Sequence, residues 1–211
     1  MRRGRGHSAG LNRENVLDAA LAFVDAHGLS ALSMRKLGAE LGVEAMALYN
    51  HVPNKQALLD GLVERLLHAA SEPLFTGHSW QEALRGFAES WRAALVAHPH
   101  LLPVVLTRPA VTAGNLALME SVLVRLQRAG FSPGRALAIM YAVAGFVVGH
   151  VATDASGPHD GDRTGALADA DLTDHPGLAE AIRASRLENV DHFEFALTAL
   201  LRGFEHDEDP S

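Results

Sequence analysis

Helix caps and helix stops divide this sequence of 211 residues into segments of helical length. Residues whose side chains cap helices stand directly before apolar runs that have the spacing of one helix face. They are Asn12, Ser33, Asn54 and Ser79. Glycine or proline follows where most of these runs end. Because no segment shows the apolar–polar alternation of a half-buried strand, the chain is predicted to be all-α.

The longest apolar segment runs from Ala136 to Thr153 without an Asp, Glu, Lys or Arg. Gly145 and Gly149 form a small-xxx-small pair within it, which permits close approach of another helix. The segment is marginally short for a membrane span, which needs about 20 apolar residues. It also lacks flanking clusters of aromatic and basic residues. The favoured interpretation is a helix buried at a subunit interface, in a protein with no membrane partner.

The overall composition narrows the class of protein further. Hydrophobic residues make up 48% of the chain and charged residues 20%, as in a soluble globular protein. The chain has no cysteine, which excludes disulfides, zinc–thiolate sites and thiol catalysis. Its N-terminus lacks the apolar core of a signal peptide, so a cytoplasmic location is expected.

Charge is unevenly distributed along the chain. Residues 1–55 contain seven Lys or Arg against five Asp or Glu, a balance of +2. The rest contains eleven against twenty, a balance of −9. We call residues 1–55 the head and the rest of the chain the body. A mildly basic head joined to an acidic body suits a protein whose head contacts phosphate and whose body does not.

Within the head, two short helical segments are separated by a tight turn at Gly42 and Val43. The first runs from Met34 to Leu41 and the second from about Glu44 to Val52. This is the geometry of a helix-turn-helix, which presents its second helix to a DNA major groove. Short helical hairpins are common, so this geometry alone does not indicate DNA binding, and the residues of the motif are needed as further evidence.

The run RKLGAELGV at 35–43 and the run LYNHVPNKQALLD at 48–60 closely resemble the DNA-binding region of the TetR family of repressors. Weaker similarity to the tetracycline-repressor subgroup continues through TRP at 107–109, QRAGFS at 127–132 and FEFALTALLRGFE at 193–205. The resemblance implies an all-α homodimer that binds palindromic double-stranded operator DNA and is released by a small-molecule effector. It implies a helix-turn-helix domain at 1–55 with a connecting helix at 54–70, followed by a ligand-binding and dimerisation domain at 71–211.

Carried over residue by residue, the resemblance makes the stretch from Glu44 to His51 the recognition helix. Its base-facing positions hold Ala45, Met46 and Ala47. Small and apolar side chains favour contact with thymine methyl groups and readout of DNA shape over hydrogen bonding. The tetracycline repressors have polar residues at two of these positions, so a different operator is expected.

Other positions of the head match DNA contacts in similar proteins. Arg35 matches a base-contacting arginine, whose guanidinium can pair with guanine. Tyr49, His51 and Lys55 match phosphate contacts, and Lys55 lies at a helix N-terminus, where free amides attract anions. Tyr49 can alternatively be a half-buried aromatic of the small core. The arginines at 2, 3 and 5 fit either a solvated tail or an arm that contacts DNA.

In the body, the positions that hold drug and metal in the tetracycline repressors have changed. Here they are Phe87, Val104, Val122, Gly145 and Thr153, and only Thr153 is polar. A magnesium–tetracycline effector is therefore not expected, and no cofactor or metal is predicted. The predicted pocket is apolar, with Arg108 as a polar anchor, and suits a hydrophobic or amphipathic metabolite or a natural-product antibiotic. Its lining residues, each of which can equally be core, are Phe87, Trp91, Val104, Met119, Val122 and Met140.

The last helical segment places an apolar stripe at i, i+4, i+7 and i+11. The stripe consists of Phe193, Leu197, Leu200 and Phe204. Together with Gly145 and Gly149, it is predicted to pair with its symmetry mate in a four-helix bundle. The alternative is a core within one chain. A dimer would hold two recognition helices about 34–36 Å apart, the spacing of successive major grooves.

The favoured function is a ligand-responsive repressor, in which the connecting helix at 54–70 transmits effector binding to the head. No nucleophile or phosphate-binding motif is evident, so the chain is not expected to be an enzyme. His98 and His100 are a poor candidate for a metal site, because side chains two apart on a helix point to different faces. Two alternatives remain open: a ligand-independent architectural DNA binder, and a helical small-molecule carrier or enzyme whose head is only a packing unit.

Overall fold

The computed structural model describes residues 11–108, 111–155, 170–188 and 191–205. Within these residues the regular structure is entirely helical, which confirms the predicted all-α class. The α-helices are α1 Arg13–His27, α2 Met34–Glu40, α3 Ala45–Tyr49, α4 Lys55–Ala70, α5 Pro73–Thr76, α6 Trp80–Ala97, α7 Leu102–Thr107, α8 Ala113–Arg128, α9 Pro133–Ala155, α10 Pro176–Glu188 and α11 His192–Glu205. Single 3₁₀ turns lie at Leu29–Ala31 and Pro99–Leu101. The arginines at 2, 3 and 5 lie outside the described residues. So does most of the segment at 154–177, which is rich in Asp, Gly and Pro and is therefore predicted to be a loop.

The predicted caps form the hydrogen bonds that define helix starts. Asn12 accepts from the amide of Asn15, and Asn54 accepts from the amide of Ala57, both at 2.8 Å. Ser33 caps α2 in the same way. Each cap satisfies an amide that has no partner within its own helix. Local chemistry is therefore sufficient to place the starts of α1, α2 and α4.

The start of α6 shows a variation on the predicted capping box. Ser79 Oγ accepts from the amide of Glu82 at 3.1 Å, as predicted. The Glu82 carboxylate accepts from the amide of His78 at 3.0 Å, one residue before the cap. The preceding junction, which Pro73 and Gly77 mark in the sequence, contains the short helix α5. Leu74 is buried there, so packing holds this turn of helix in place.

The chain packs as two compact units, residues 1–72 with 93–121 and residues 73–92 with 122–211. In the first unit, α1 packs on α4. Arg13 pairs with Glu64 at 2.9 Å, and Arg65 pairs with Glu14 at 2.8 Å. These reciprocal ion pairs set the register of the two helices. The predicted boundary near residue 71 separates parts of the chain by function rather than by packing, and it stays a prediction.

In the second unit, α9 packs on α11. Phe146 of α9 and Phe193 of α11 stack with ring centroids 5.2 Å apart. The guanidinium of Arg92 lies 4.7 Å from the centroid of the Phe193 ring, a cation–π contact. Arg85 of α6 also pairs with Glu194 of α11. Aromatic and charged contacts thus bring α6, α9 and α11 into one core.

Candidate DNA-binding surface and effector site

A close approach of α2 and α3 forms the helix-turn-helix. A Cβ atom on Gly38 would lie 2.9 Å from the carbonyl oxygen of Val43, so only glycine fits where the turn folds back on α2. The amide of Val43 donates to the Gly38 carbonyl at 2.8 Å. Gly42 has φ +68°, a left-handed conformation that glycine adopts without steric cost. These two glycines set the position of α3 relative to α2.

The recognition helix exposes the apolar side chains that were predicted to face bases. Met46 is 73% exposed, while Ala45 and Ala47 are half-buried. Leu48 is fully buried and anchors α3 to the head. Glu44 is exposed and stands at the N-cap without a side-chain capping bond. The face of α3 that points outward is thus apolar, and core packing does not account for it.

The predicted phosphate-contact residues differ in their surroundings. Tyr49 is 41% exposed, so part of its side chain is accessible to a partner. His51 is half-buried just after α3, and Arg35 is exposed in the first turn of α2. The structure therefore leaves Arg35 and Tyr49 accessible on the same helix-turn-helix.

Lys55 has a contact that the sequence did not indicate. Its Nζ donates to the carbonyl oxygen of Leu32 at 2.6 Å. Leu32 follows the 3₁₀ turn at Leu29–Ala31, directly before α2. The lysine thus ties the start of α4 to the entry of the helix-turn-helix. An ammonium group has three donors, so this bond leaves two for a phosphate.

The residues predicted to line the effector pocket divide between the two units. Val104, Arg108 and Met119 belong to the first unit. The others, Phe87, Trp91, Val122 and Met140, belong to the second. Both methionines are half-buried and Arg108 is partly exposed, whereas the remaining four are buried. Their convergence on a single pocket stays a prediction.

Arg108, the predicted polar anchor, is bound by the connecting helix. Its Nε donates to Asp60 Oδ1 at 2.7 Å, and its Nη1 donates to Gln56. Both partners lie on α4. The hydrogen bond to Asp60 raises the pKa of the Arg108 guanidinium above its ordinary value, so the arginine stays protonated. The sequence placed Arg108 in the pocket and missed its link to α4.

The apolar helix α9 has two different faces. One face is buried in its own chain and consists of Ala136, Ile139, Val143, Val147 and Val151. The opposite face is exposed and includes Leu137, Tyr141, Gly145 and Gly149. The segment Pro133–Asp154 is long and apolar enough to cross a membrane, and 28% of it is buried within the chain. A Cβ added at Gly145 or Gly149 would meet no atom within 4 Å, so the space beyond them is open.

The last helix departs from its predicted orientation. Phe193 and Leu197 are buried within their own chain, since they face α9. Their assignment to a subunit interface is therefore corrected to the intrachain core. Leu200 and Phe204 are half-buried, and Phe195 is 70% exposed. The i, i+4 spacing of Phe193 and Leu197 therefore marks the face of α11 that packs on α9.

His98 has a carboxylate partner rather than a neighbouring histidine. Its Nδ1 lies 2.9 Å from Asp25 Oδ2, which joins the end of α6 to α1. Across the described ranges, no group of three or more His, Asp or Glu side chains is close enough to hold a metal ion.

A glycine-closed helix-turn-helix with an exposed recognition helix, on an otherwise helical chain, defines the class of helix-turn-helix DNA-binding regulators. The description "Bacterial regulatory proteins, tetR family" matches residues 16–62, and "Tetracyclin repressor-like, C-terminal domain" matches residues 72–207. The chain belongs to the TetR family of ligand-responsive, DNA-binding transcriptional repressors. The resemblance found in the sequence is thereby confirmed.

Relatives cover nearly the whole chain. The tetracycline repressor protein class D of Escherichia coli is 37% identical over 93% of this chain and 90% of its own length. The transcriptional repressor DrrR1 of Streptomyces coeruleorubidus is 32% identical over 97% of this chain and 81% of its own length. The structure of ActR from Streptomyces coelicolor in complex with actinorhodin has a TM-score of 0.74, at 25% identity over 93% of this chain and 98% of ActR. These relatives are regulators rather than enzymes.

Proposed function

We propose that this chain is a cytoplasmic, homodimeric repressor that binds a palindromic operator and releases it when an apolar effector binds to the body. The observation that carries the proposal is the exposed apolar face of α3, set on a helix-turn-helix that is closed by Gly38 and Gly42. The helix-turn-helix domain is proposed to span residues 1–55 with a connecting helix at 54–70. Residues 71–211 would form the domain for ligand binding and dimerisation, without enzymatic activity.

On the operator, Ala45, Met46 and Ala47 would contact base edges. None of these side chains donates a hydrogen bond, so thymine methyl groups and groove shape would supply the discrimination. Arg35 adds a strong hydrogen-bond donor to the surface and would select guanine. Glu44, Tyr49, His51 and Lys55 flank this face, and the last three would position the head on phosphates.

The exposed face of α9 supports the homodimer. A fully exposed stripe that includes Tyr141 is costly to leave in water, whereas an isologous contact would bury it. Gly145 and Gly149 would let two copies of α9 approach closely. Leu200 and Phe204 of α11 would extend this interface. A dimer also supplies the two recognition helices that a palindrome requires.

The effector is proposed to be a polycyclic aromatic natural product that needs no metal ion. Three observations support this class. By the resemblance, Phe87 and Val122 replace amides that contact the drug. Val104 replaces the histidine that binds the drug-bound metal ion, and Gly145 replaces a second inward histidine. The ActR structure also holds actinorhodin. Apolar side chains favour a flat apolar framework. Tetracycline with magnesium is the matched negative probe.

The contact of Arg108 with Asp60 and Gln56 is the proposed route from effector to DNA. It joins the end of α7 to α4, and five residues separate the end of α3 from the start of α4. An effector that binds preferentially to one arrangement of α7 and α4 would shift the population of head arrangements by its difference in binding free energy.

The test is selection of genomic fragments by the purified protein, followed by mobility shifts on the recovered palindrome at several salt concentrations. We expect salt-dependent binding to a palindrome and release by actinorhodin, with no release by tetracycline and magnesium. Failure to bind any fragment at low salt would leave the carrier alternative and refute the proposal. Weak sequence preference without release by any probe would instead favour the architectural DNA binder.

A further inference from the structure

Trp91 contains a buried hydrogen-bond donor that has no acceptor. The residue is 1% exposed on α6, and its indole Nε1 makes no hydrogen bond within the part of the chain that the structure describes. An indole N–H can only donate, so no rotation of the ring turns it into an acceptor. Leaving such a donor buried and unpaired is destabilising, because its bond to water is lost without replacement. A phenylalanine would occupy the same core without this cost.

The second unit offers this donor no buried side-chain acceptor. Its buried side chains in residues 73–92, 122–154, 170–185 and 191–205 are all apolar apart from Trp91 itself. The buried polar side chains that the structure describes are Ser71 and Asn115, and both belong to the first unit. An internal water molecule needs two to four polar partners, which these apolar surroundings do not supply. A ligand atom is a type of acceptor that pairs with the indole N–H without needing such polar partners.

We infer that Trp91 Nε1 is a specificity-determining donor for the effector, which must carry an oxygen acceptor, such as a quinone or ketone carbonyl, on its apolar framework. Phe87 lies one helical turn before Trp91 on the same buried face of α6 and would contact that framework. The inference rests on the proposed function for the existence of an effector. It adds an oxygen acceptor to the proposed effector, which an entirely apolar pocket would not require.

The test uses two probes that differ only in their acceptors. They are 2-(aminomethyl)anthraquinone, which has two carbonyl oxygens, and 2-(aminomethyl)anthracene, which has none. The shared ammonium group donates hydrogen bonds at neutral pH and so cannot pair with the indole N–H. Each probe is titrated calorimetrically into the full-length wild-type protein and into Trp91→Phe.

We expect the quinone to bind the wild-type protein about five- to tenfold more tightly than the anthracene, the ratio that one neutral hydrogen bond supplies. In Trp91→Phe, the ratio should fall to about one, because the donor is gone while the affinity for the anthracene stays similar. The inference is overturned if the ratio persists in the variant. It is equally overturned if the wild-type protein does not prefer the quinone, including the case in which neither probe binds.

Trp80 provides the matched control, since the chain contains two tryptophans. It is half-buried and its ring packs edge-on against Phe131, with centroids 5.0 Å apart. Trp80→Phe should leave the preference for the quinone unchanged. The same variant, labelled with ¹⁵N, has a single indole N–H resonance, that of Trp91. This resonance should shift with the quinone and not with the anthracene, and an identical response to both probes would refute the inference even if Trp91→Phe does not fold.

Operator release is measured separately, so that the two hypotheses fail in different ways. An effector that releases the operator and binds Trp91→Phe as tightly as the wild-type protein would refute the role of Trp91 and leave the repressor intact. A probe that shows the predicted ratio without changing operator affinity would refute the proposed regulation and leave the donor role intact.

Discussion

The outer face of α3 and the inner face of α6 have similar apolar composition and opposite surroundings. Met46 on α3 is 73% exposed, whereas Trp91 on α6 is 1% exposed. On α3, an apolar side chain in water indicates a partner surface that core packing does not explain. On α6, a buried polar atom without a hydrogen-bond partner in an apolar core indicates that a ligand supplies the partner. In both regions, the informative residue departs from the usual pattern, in which large apolar side chains are covered and buried polar atoms are hydrogen-bonded.

The largest effect that would sharpen this comparison comes from the buried side of α3. Leu48→Ala should lower the free energy of unfolding by about 3 kcal/mol, because it opens a cavity at a fully buried position. Met46→Ala, two residues away and exposed, should change it by less than about 0.5 kcal/mol. Chemical denaturation of both variants measures the difference. Equal losses would show that Met46 is a core residue.

The next largest effect concerns the exposed face of α9. Tyr141→Lys should weaken the dimer by about tenfold or more, because it would bury an unpaired charge in an apolar contact. Ala181→Lys, at an exposed site on α10, is the control and should leave the dimer unchanged. Sedimentation equilibrium measures both. A wild-type protein whose mass is that of a monomer at every concentration would contradict the proposed interface.

A smaller effect is expected at the link between α7 and α4. Asp60→Asn removes the charge that holds Arg108, and should reduce the change in operator affinity caused by actinorhodin about fivefold. Glu64→Gln, which removes the ion pair with Arg13 on the same helix, is the matched control. Operator titrations with and without actinorhodin measure the coupling. If both variants respond like the wild-type protein, Arg108 does not carry the signal.

An effect of the same size tests the outer face of α3 directly. Met46→Ala should weaken binding to the selected operator by about fivefold, which corresponds to the loss of about 1 kcal/mol of contact with base edges. Binding to random duplex should stay unchanged, since phosphate contacts are retained. Fluorescence anisotropy with both duplexes checks this. A uniform loss on both would assign Met46 to the positioning of the head rather than to sequence recognition.

Much of the fold was predictable because it depends on local chemistry. The caps at Asn12, Ser33 and Asn54 form the predicted bonds, and α6 spans the predicted residues 80–97. The short helix α5 was missed, since a single turn between proline and glycine has no periodicity to detect. The burial of Leu74 holds it, and burial depends on distant residues.

The candidate sites were only partly predictable for the same reason. The spacing of Phe193 and Leu197 correctly indicated an apolar helix face, but it does not say whether that face meets another chain or the same one. The bond from Lys55 to Leu32 and the bond from Arg108 to Asp60 join residues 23 and 48 positions apart. No local pattern encodes such pairs.

The sequence by itself determined the class of the protein, the helix-turn-helix and its family, because caps, turn glycines and an unbroken motif act over a few residues. It also showed apolar residues at the positions that the resemblance assigns to base contacts, and apolar or small residues at most of those that it assigns to drug and metal. Only the tertiary structure decided which apolar residues are covered: Met46 lies in water, Phe193 lies in the core, and the indole N–H of Trp91 is buried without an acceptor. Burial and hydrogen-bond satisfaction are properties of the whole packed chain, so they could be assigned only after the helices had been placed.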